Sequence, residues 1–322
     1  MRSTAAPVVV SGRGDQGLIA RLRGQFLSSP SRGLQTGLGL IWLLDGGLQF
    51  QSFMYSRGFT AMLRANAVGQ PGWVHDSILW AVGLVGAHLG VWNSLWAGLQ
   101  VLIGLGLLWR PTVRAALMLN IAWALGVWWF GEGFGMMLVP TAASPLTGAP
   151  GAAALYVLVG LLAWPDRPGG LLGVRGARTA WAGLWLVLAW LWLEPASAAP
   201  DAIREMLDAA PSGLDWLSRL QHGAASLSAG LGVPIALVLA ALSATIAVAV
   251  AADWRARGWL WFAVALNLVF WFLGQGLGGI FQGGATDPNS GPLMVLLSLN
   301  LLWLVRSAPD PAPSAAAWQQ NA

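Results

Sequence analysis

The stretch "WWFGEGFGMMLVPTAASPLTG", Trp128–Gly148, places a carboxylate between glycines at the end of an apolar run. A second stretch, "WFLGQGLGGIFQGGATDPNSG", Trp271–Gly291, repeats that layout at the offset that separates Gly274 from Gly131. The same offset carries Trp42 onto Trp185 and Trp73 onto Trp216. One register maintained over such distances indicates a tandem duplication, so we expect each copy to be one structural unit.

The composition is that of a membrane protein. Of the 322 residues, 56% are hydrophobic and only 9% are charged, with a mean hydropathy of +0.63. A soluble domain of this size could not cover so much apolar surface. The absence of Cys excludes disulfides, thiolate catalysis and Cys-ligated metals, and the net charge of +4 does not indicate a nucleic-acid partner.

Eight segments are apolar enough to form transmembrane helices of roughly 20 residues. They cover approximately residues 34–54, 85–109, 115–137, 150–165, 179–195, 231–252, 258–281 and 291–305. Two connections, 55–78 and 196–228, are polar enough to leave the membrane, and "DAIREMLDAA" in the second predicts a short surface helix. The fold class is therefore an all-α integral membrane protein of eight transmembrane helices in two parallel four-helix pseudo-repeats.

The arginines divide unevenly between the two sides of the membrane. One side receives 13 of the 17, in the N-terminal arm and in alternate loops, and the other receives Arg57, Arg64, Arg204 and Arg219. Short cytoplasmic loops collect positive charge, so both termini are expected in the cytoplasm of a bacterial inner membrane. The expected divisions are a basic cytoplasmic arm (1–33), the first repeat (34–165), a cytoplasmic linker (166–178), the second repeat (179–306) and a disordered tail (307–322).

The fourth and eighth helices are short for a membrane span. Their apolar runs rise roughly 21 to 23 Å, against a hydrocarbon core near 30 Å, so the preceding loops must complete the crossing. Non-helical backbone at that depth needs protein or a water-filled cavity around it. Paired, glycine-broken segments in two halves predict a transporter-like site between them on the outer side. The predicted broken-helix backbone comprises Gly131, Gly133, Gly274 and Gly276, with Thr147 and Ser290 at the helix starts.

Glu132 is the leading candidate for proton or cation handling. A carboxylate in an apolar span costs about 2.5 to 3.5 kcal/mol on insertion scales, so it normally faces the bundle interior. The alternative is that Glu132 only hydrogen-bonds loop amides. Its counterpart Gln275 makes the two halves chemically unequal.

Asp45 lies within the first helix, with Gln49 on the same face and Gln51 further out. These groups form either a proton or cation path or a set of interhelical hydrogen bonds.

His88, Asn93 and Gln100 are further polar groups in the second helix, and Asp287 fits an N-capping turn as well as a ligand site. No metal site is expected, and the many Trp residues suit an interfacial belt.

The segments "IWLLDGGLQF", Ile41–Phe50, and "GLGLLWRPTVRAAL", Gly104–Leu117, carry a resemblance to a known family. With an external connection between them, they resemble DoxX-like membrane proteins, and "GEGFG" with "SPLTG" resembles uncharacterised polytopic proteins of high-GC bacteria. The DoxX resemblance implies a four-helix unit, in some members linked to quinone or thiol redox systems. The missing Cys does not fit thiol redox work.

The sequence favours a transporter or permease-like protein that contacts the lipid bilayer and a small solute or cation, with no nucleic-acid partner. The alternatives are a DoxX-like redox accessory that binds quinone or an electron-transfer partner, and a scaffold without a ligand. Quinone is the only cofactor considered, and only under that alternative. Enzyme activity is not expected, because G-x-S-x-G, Walker A and H-E-x-x-H patterns do not occur in the chain.

Overall fold

The computed structural model describes residue 24 and residues 27–306. Most of the predicted N-terminal arm and all of the predicted tail, 307–322, lie outside the described residues. Within the described part the chain folds into twelve α-helices joined by turns, and it contains no strand there, which confirms the all-helical prediction. The helices are α1 (Pro30–Leu48), α2 (Arg57–Ala65), α3 (Gly72–Ala87), α4 (Leu89–Leu108), α5 (Val113–Gly126), α6 (Ala152–Leu162), α7 (Gly173–Leu191), α8 (Ala202–Asp208), α9 (Asp215–Ser228), α10 (Gly232–Ala251), α11 (Ala256–Leu273) and α12 (Ser290–Arg306).

Four helical segments are long and apolar enough to cross a membrane: Leu89–Leu108, Arg110–Gly131, Gly232–Ala251 and Ala256–Leu273. Helices α6 and α12 are shorter apolar helices. The 11 residues of α6 rise about 16 Å, so this helix is even shorter than the sequence predicts. Large apolar side chains such as Leu40, Leu95 and Leu102 are exposed, as expected where a helix faces lipid.

The helices recur at a constant offset, the one that separates Gly274 from Gly131 in the sequence. Both ends of α7 lie at this offset from the corresponding ends of α1, and both ends of α10 lie at the same offset from those of α4. The first residues of α9 and α11 are related in the same way to those of α3 and α5. The packing recurs as well, because α1 packs on α4 as α7 packs on α10, and α5 packs on α6 as α11 packs on α12.

One continuous core joins the two sets of helices. Its buried residues come from α1, from α4 to α7 and from α10 to α12, and they include Trp181 and Trp185. Helix α12 packs on both α1 and α6, which links the end of the chain to the first set of helices. Trp42, Trp181, Trp185 and Trp192 are at most 3% exposed, so these four do not belong to the interfacial belt that the sequence suggests.

The predicted boundaries of the N-terminal arm and of the linker differ from those in the structure. Helix α1 begins at Pro30, capped by the Ser29 hydroxyl, so Arg32 belongs to the first helix and not to the arm. The Arg32 guanidinium donates to the carbonyls of Leu107 and Leu108 at the end of α4. Helix α7 begins at Gly173, inside the predicted linker.

The two glycine-rich stretches form the same backbone hook. Helix α5 ends in a π-helical turn, Val127–Gly131, and then residues 133–136 all have positive φ. Residues 276–279, which follow α11, also all have positive φ. Such a left-handed run costs about 1–2 kcal/mol for each residue with a Cβ, and glycine avoids that cost. At Gly135 an added Cβ would also collide with the Pro150 carbonyl, and at Gly276 with the Pro211 carbonyl.

The loops that follow the hooks differ in length. Trp128 Nε1 donates to the Pro150 carbonyl at 2.9 Å, just before α6, and Trp271 Nε1 donates to the Pro288 carbonyl at 2.7 Å, just before α12. The two tryptophans keep the constant offset but the two prolines do not, and the second loop is five residues shorter. The predicted pairing of Thr147 with Ser290 is therefore wrong. Ser290 opens α12, but Thr147 lies in a 3₁₀ turn and α6 begins only at Ala152.

Candidate functional site

A cavity of about 310 Å³ lies among the six helices α1 to α6. This volume is at the lower end of the range for small-molecule sites. The cavity belongs to the first set of helices, and the second set contributes only Thr286 and Asp287 from the loop before α12. The prediction of a site between two pseudo-symmetric halves is therefore wrong in its position, because the space lies within one half and is bordered by a loop of the other.

Three carboxyl groups line this cavity, and each comes from a different element. Asp45 lies in the last turn of α1, Glu132 follows the π-helical turn, and Asp287 precedes α12. No Arg or His occurs among the described residues that line the space. The fold thus brings together three acids that lie far apart in the sequence, without a compensating cation in the lining.

Asp45 is 2% exposed, and only one of its oxygens has a partner in the protein. Its Oδ2 accepts the hydroxyl of Tyr156, while its Oδ1 accepts no hydrogen bond. The side-chain carbonyl oxygens of Gln49 and Gln100 are also buried without a partner, and both residues line the same space. Buried acceptors without a donor cost about 1–3 kcal/mol each, so their convergence on one cavity points to a ligand that donates.

Glu132 caps helix α6. Its Oε1 and Oε2 lie 3.1 Å and 3.3 Å from the backbone N–H of Ala153, in the first turn of the helix. In the second hook, Gln275 Oε1 accepts from the backbone N–H of Gly291 at 3.0 Å. Because an uncharged amide makes the same cap, the capping role does not require the negative charge of Glu132.

Asp287 forms the turn that its sequence predicts. Its Oδ1 accepts from the Asn289 backbone N–H at 2.7 Å, and its Oδ2 accepts from the Thr286 hydroxyl at 2.7 Å. Burial raises the pKa of the Asp287 carboxyl, and these two hydrogen bonds oppose that rise. Asp287 therefore has a structural role in the loop and also borders the cavity.

A buried network holds Tyr156 against Asp45. Trp42 Nε1 donates to Asn120 Oδ1 at 2.7 Å, and Asn120 Nδ2 donates to the Tyr156 carbonyl at 3.0 Å. The Trp42 and Tyr156 rings lie 4.4 Å apart between centroids. Asn120 is fully buried, so it fixes the relative positions of α1, α5 and α6 around the acid.

Replacing Asn120 tests this network. Asn120→Leu leaves the Trp42 indole N–H buried without an acceptor, and we expect the free energy of unfolding to fall by about 1–3 kcal/mol. Thermal unfolding of the purified protein in detergent, followed by tryptophan fluorescence, measures the loss. Met118→Leu, at an exposed site on the same helix, is the control and should leave stability unchanged. Equal stability of the two variants would contradict the network.

Four of the residues predicted to handle a ligand or a proton do not line the cavity. Gln51 Nε2 donates to the Ala285 carbonyl at 3.3 Å, and Asn93 Nδ2 donates to the Gln49 carbonyl at 2.8 Å. His88 is exposed at the bend between α3 and α4, and Gln275 is the cap of α12. These residues position backbone or face outward, so they are not part of the candidate site.

Sequence reasoning missed Tyr156 and the aromatic lining. Trp92, Trp96 and Trp123 line the cavity together with Phe59, and the Trp96 ring centroid lies 5.7 Å from that of Trp123 and 6.4 Å from those of Trp92 and Phe59. Tyr156 is one of only two tyrosines in the chain and interrupts an apolar helix, which is a usable signal. The tryptophans carried no such signal, because a Trp at a lipid interface and a Trp in a cavity look alike in sequence.

Comparison of the chain with protein-family models, with curated proteins and with solved structures finds no match. Within the described residues, no group of three or more His, Cys, Asp or Glu is placed to hold a metal ion. The case for function therefore depends on the cavity itself.

Proposed function

We propose that this protein is a secondary transporter or permease whose eight membrane-spanning helices form two parallel repeats. The observation that carries the proposal is the cavity into which Asp45, Glu132 and Asp287 face, without a basic residue in its described lining. Ionisable groups in a membrane bundle are costly, and they usually mark an ion, proton or substrate path. The constant offset of the helices and the paired hooks support the two-repeat arrangement.

The proposed orientation puts the cavity on the outer side of a bacterial inner membrane, with both termini in the cytoplasm. Arg32, Arg110, Arg114 and Arg167 border a common depression at one end of the first repeat. The acids lie toward the opposite end, since Arg32 is in the first turn of α1 and Asp45 is in its last turn. The positive-inside rule then makes the arginine end cytoplasmic.

In this proposal, Asp45 and Glu132 exchange a proton or cation with the outer side. Asp45 suits the role because its Oδ1 has no partner within the protein, so the carboxyl can bind a proton or a cation there. Glu132 suits the role because the cap of α6 needs only a hydrogen-bond acceptor, so the negative charge of Glu132 is not required for capping. Glu132 is held at the start of α6 by its bonds to Ala153, and Asp45 is held by the hydroxyl of Tyr156.

Electrical recording from proteoliposomes on a solid support tests transport. Vesicles that contain the full-length protein are challenged with phenethylamine, benzoate, phenylalanine or glucose. We expect a protein-dependent current with at least one cationic or proton-coupled solute, and at least a tenfold smaller current for Asp45→Asn. Asp76→Asn, whose side chain is 82% exposed, is the matched control and should behave as the wild type. The absence of current with every solute, from protein that remains folded, would overturn the proposal.

The DoxX-like redox accessory is the second candidate function. The observation that favours it is the row of tryptophans beside unpartnered acceptor oxygens, since the hydroxyls of a quinol could donate to these oxygens. Organic extraction of the purified protein tests this reading. A stoichiometric quinone that is lost in Trp96→Leu, together with no transport current, would favour it over the transporter.

A further inference from the structure

We infer that the cavity binds an organic cation, with a substituted ammonium group at Asp45 and an apolar body against Trp92, Trp96 and Trp123. The inference rests on the proposed function, since it names the class of substrate that the cavity would accept. It is supported by the charge of the lining, by the unpartnered acceptors, by the aromatic rings and by the contrast between the two repeats.

The charge of the lining selects for a cation. Three carboxyl groups face the space, and none of the described lining residues carries a positive charge. An anion would meet repulsion from these groups in a medium of low dielectric constant, where charges interact more strongly than in water. A cation gains from the same field.

The unpartnered atoms select for a group that donates. Asp45 Oδ1, Gln49 Oε1 and Gln100 Oε1 are buried acceptors without a partner, and all three residues line the cavity. Trp123 Nε1 is the one donor among the buried unpartnered side-chain atoms of that described lining. A protonated amine can fill several of these acceptors at once, because an ammonium group has donors and no acceptor.

The aromatic rings select for an organic body. Indole faces attract cations within about 6 Å of the ring centroid, and they also bury apolar carbon. The Trp96 ring contacts the rings of both Trp92 and Trp123, so the three present a continuous aromatic wall. Aromatic surface of this kind is how proteins recognise substituted ammonium groups.

The second repeat provides an internal comparison. At the constant offset between the repeats, Leu188 replaces Asp45, and Ser243 replaces Gln100. The aromatic wall is lost at the same time, because Ile235, Leu239 and Leu266 stand at the positions of Trp92, Trp96 and Trp123. Helices α4 and α10 have equal length and matching ends, so the scaffold itself does not require the tryptophans. The acid and the rings occur together in one repeat and are absent together from the other, as expected for groups that serve one ligand.

Direct binding tests the inference. The full-length protein in lipid nanodiscs is titrated with radiolabelled phenethylamine, a primary amine that is protonated at neutral pH, in a scintillation proximity assay. We expect saturable binding to the wild type, at least tenfold weaker binding to Asp45→Asn, and about fivefold weaker binding to Trp96→Leu, which installs the residue found in the second repeat. Asp76→Asn and Trp261→Leu, which alter exposed residues outside the cavity, should bind as the wild type does.

No saturable binding by folded wild-type protein would overturn the inference, and so would unchanged binding by Asp45→Asn. If Asp45→Asn does not fold, Trp96→Leu decides the matter, because unchanged binding by that variant would also overturn it. The binding assay does not depend on transport. Binding without any transport current would overturn the transporter proposal and keep the cation site. Transport current with other solutes, without binding of the cation, would overturn the cation site and keep the transporter proposal.

Discussion

Glu132→Gln is expected to reduce transport current to the level of protein-free vesicles while leaving the fold intact. The structural reason for an intact fold is internal to the protein, since Gln275 caps α12 through Gly291 just as Glu132 caps α6 through Ala153. The amide keeps the acceptor and removes only the charge and the ability to take up a proton. We expect the free energy of unfolding to change by less than about 1 kcal/mol, within the range of a typical hydrogen bond.

Two measurements on the same preparation check this result: the current from reconstituted vesicles, and thermal unfolding in detergent. Glu205→Gln is the matched control, because it makes the same change at an exposed position on α8. Wild-type current in Glu132→Gln would show that Glu132 serves only as a cap. A large loss of stability would show instead that the two caps are not equivalent.

Gly276→Ala is expected to have the largest effect on stability, a loss of more than about 2 kcal/mol. The residue has a φ of +51°, a conformation that costs a residue with a Cβ about 1–2 kcal/mol. The added methyl group would also collide with the Pro211 carbonyl and approach Gln221 Nε2. The turn before α9 would have to move, and with it the hydrogen bonds of Gln221 to the carbonyls of Pro211 and Leu273.

The thermal midpoint of the purified protein measures this loss. Gly98→Ala is the control, because nothing lies within 4 Å of the added Cβ and the residue is in the middle of α4. Helix propensity predicts a gain of roughly 0.5–1 kcal/mol for that change. A Gly276→Ala protein as stable as the wild type would contradict the left-handed hook.

Much of the fold could be predicted because its signals are local. Each of the eight apolar segments overlaps a helix, and "DAIREMLDAA" contains α8, since apolar runs and polar interruptions report directly on helix position. The constant offset can be read from the sequence because glycines are needed at equivalent backbone positions, and residues 133–136 and 276–279 do share a left-handed conformation. The five-residue difference in the following loops was invisible, because Ser144–Gly148 and Asp287–Gly291 have similar turn residues but different structures.

Only part of the site could be predicted. Asp45, Gln49, Glu132 and Asp287 were identified because a polar side chain in an apolar segment is conspicuous, and all four line the cavity. Gln51, His88, Asn93 and Gln275 carry the same signal but lie elsewhere, since polarity does not tell which way a side chain faces. The tryptophans of the wall were missed because a helix in a membrane is apolar all round, so its lipid side and its buried side have similar residues.

The sequence by itself determined that the chain is helical and apolar, where its most apolar helices lie, that residues recur at a constant offset, and which acids are costly to bury. Each of these properties depends on residues close together in the chain or on a simple comparison of its two halves. The tertiary structure alone decided that the cavity lies inside the first set of helices, and that Asp45, Tyr156 and Asp287 meet there. Empty space and contacts between distant residues depend on how side chains of separate helices fill the volume between them, and that packing has no local signature.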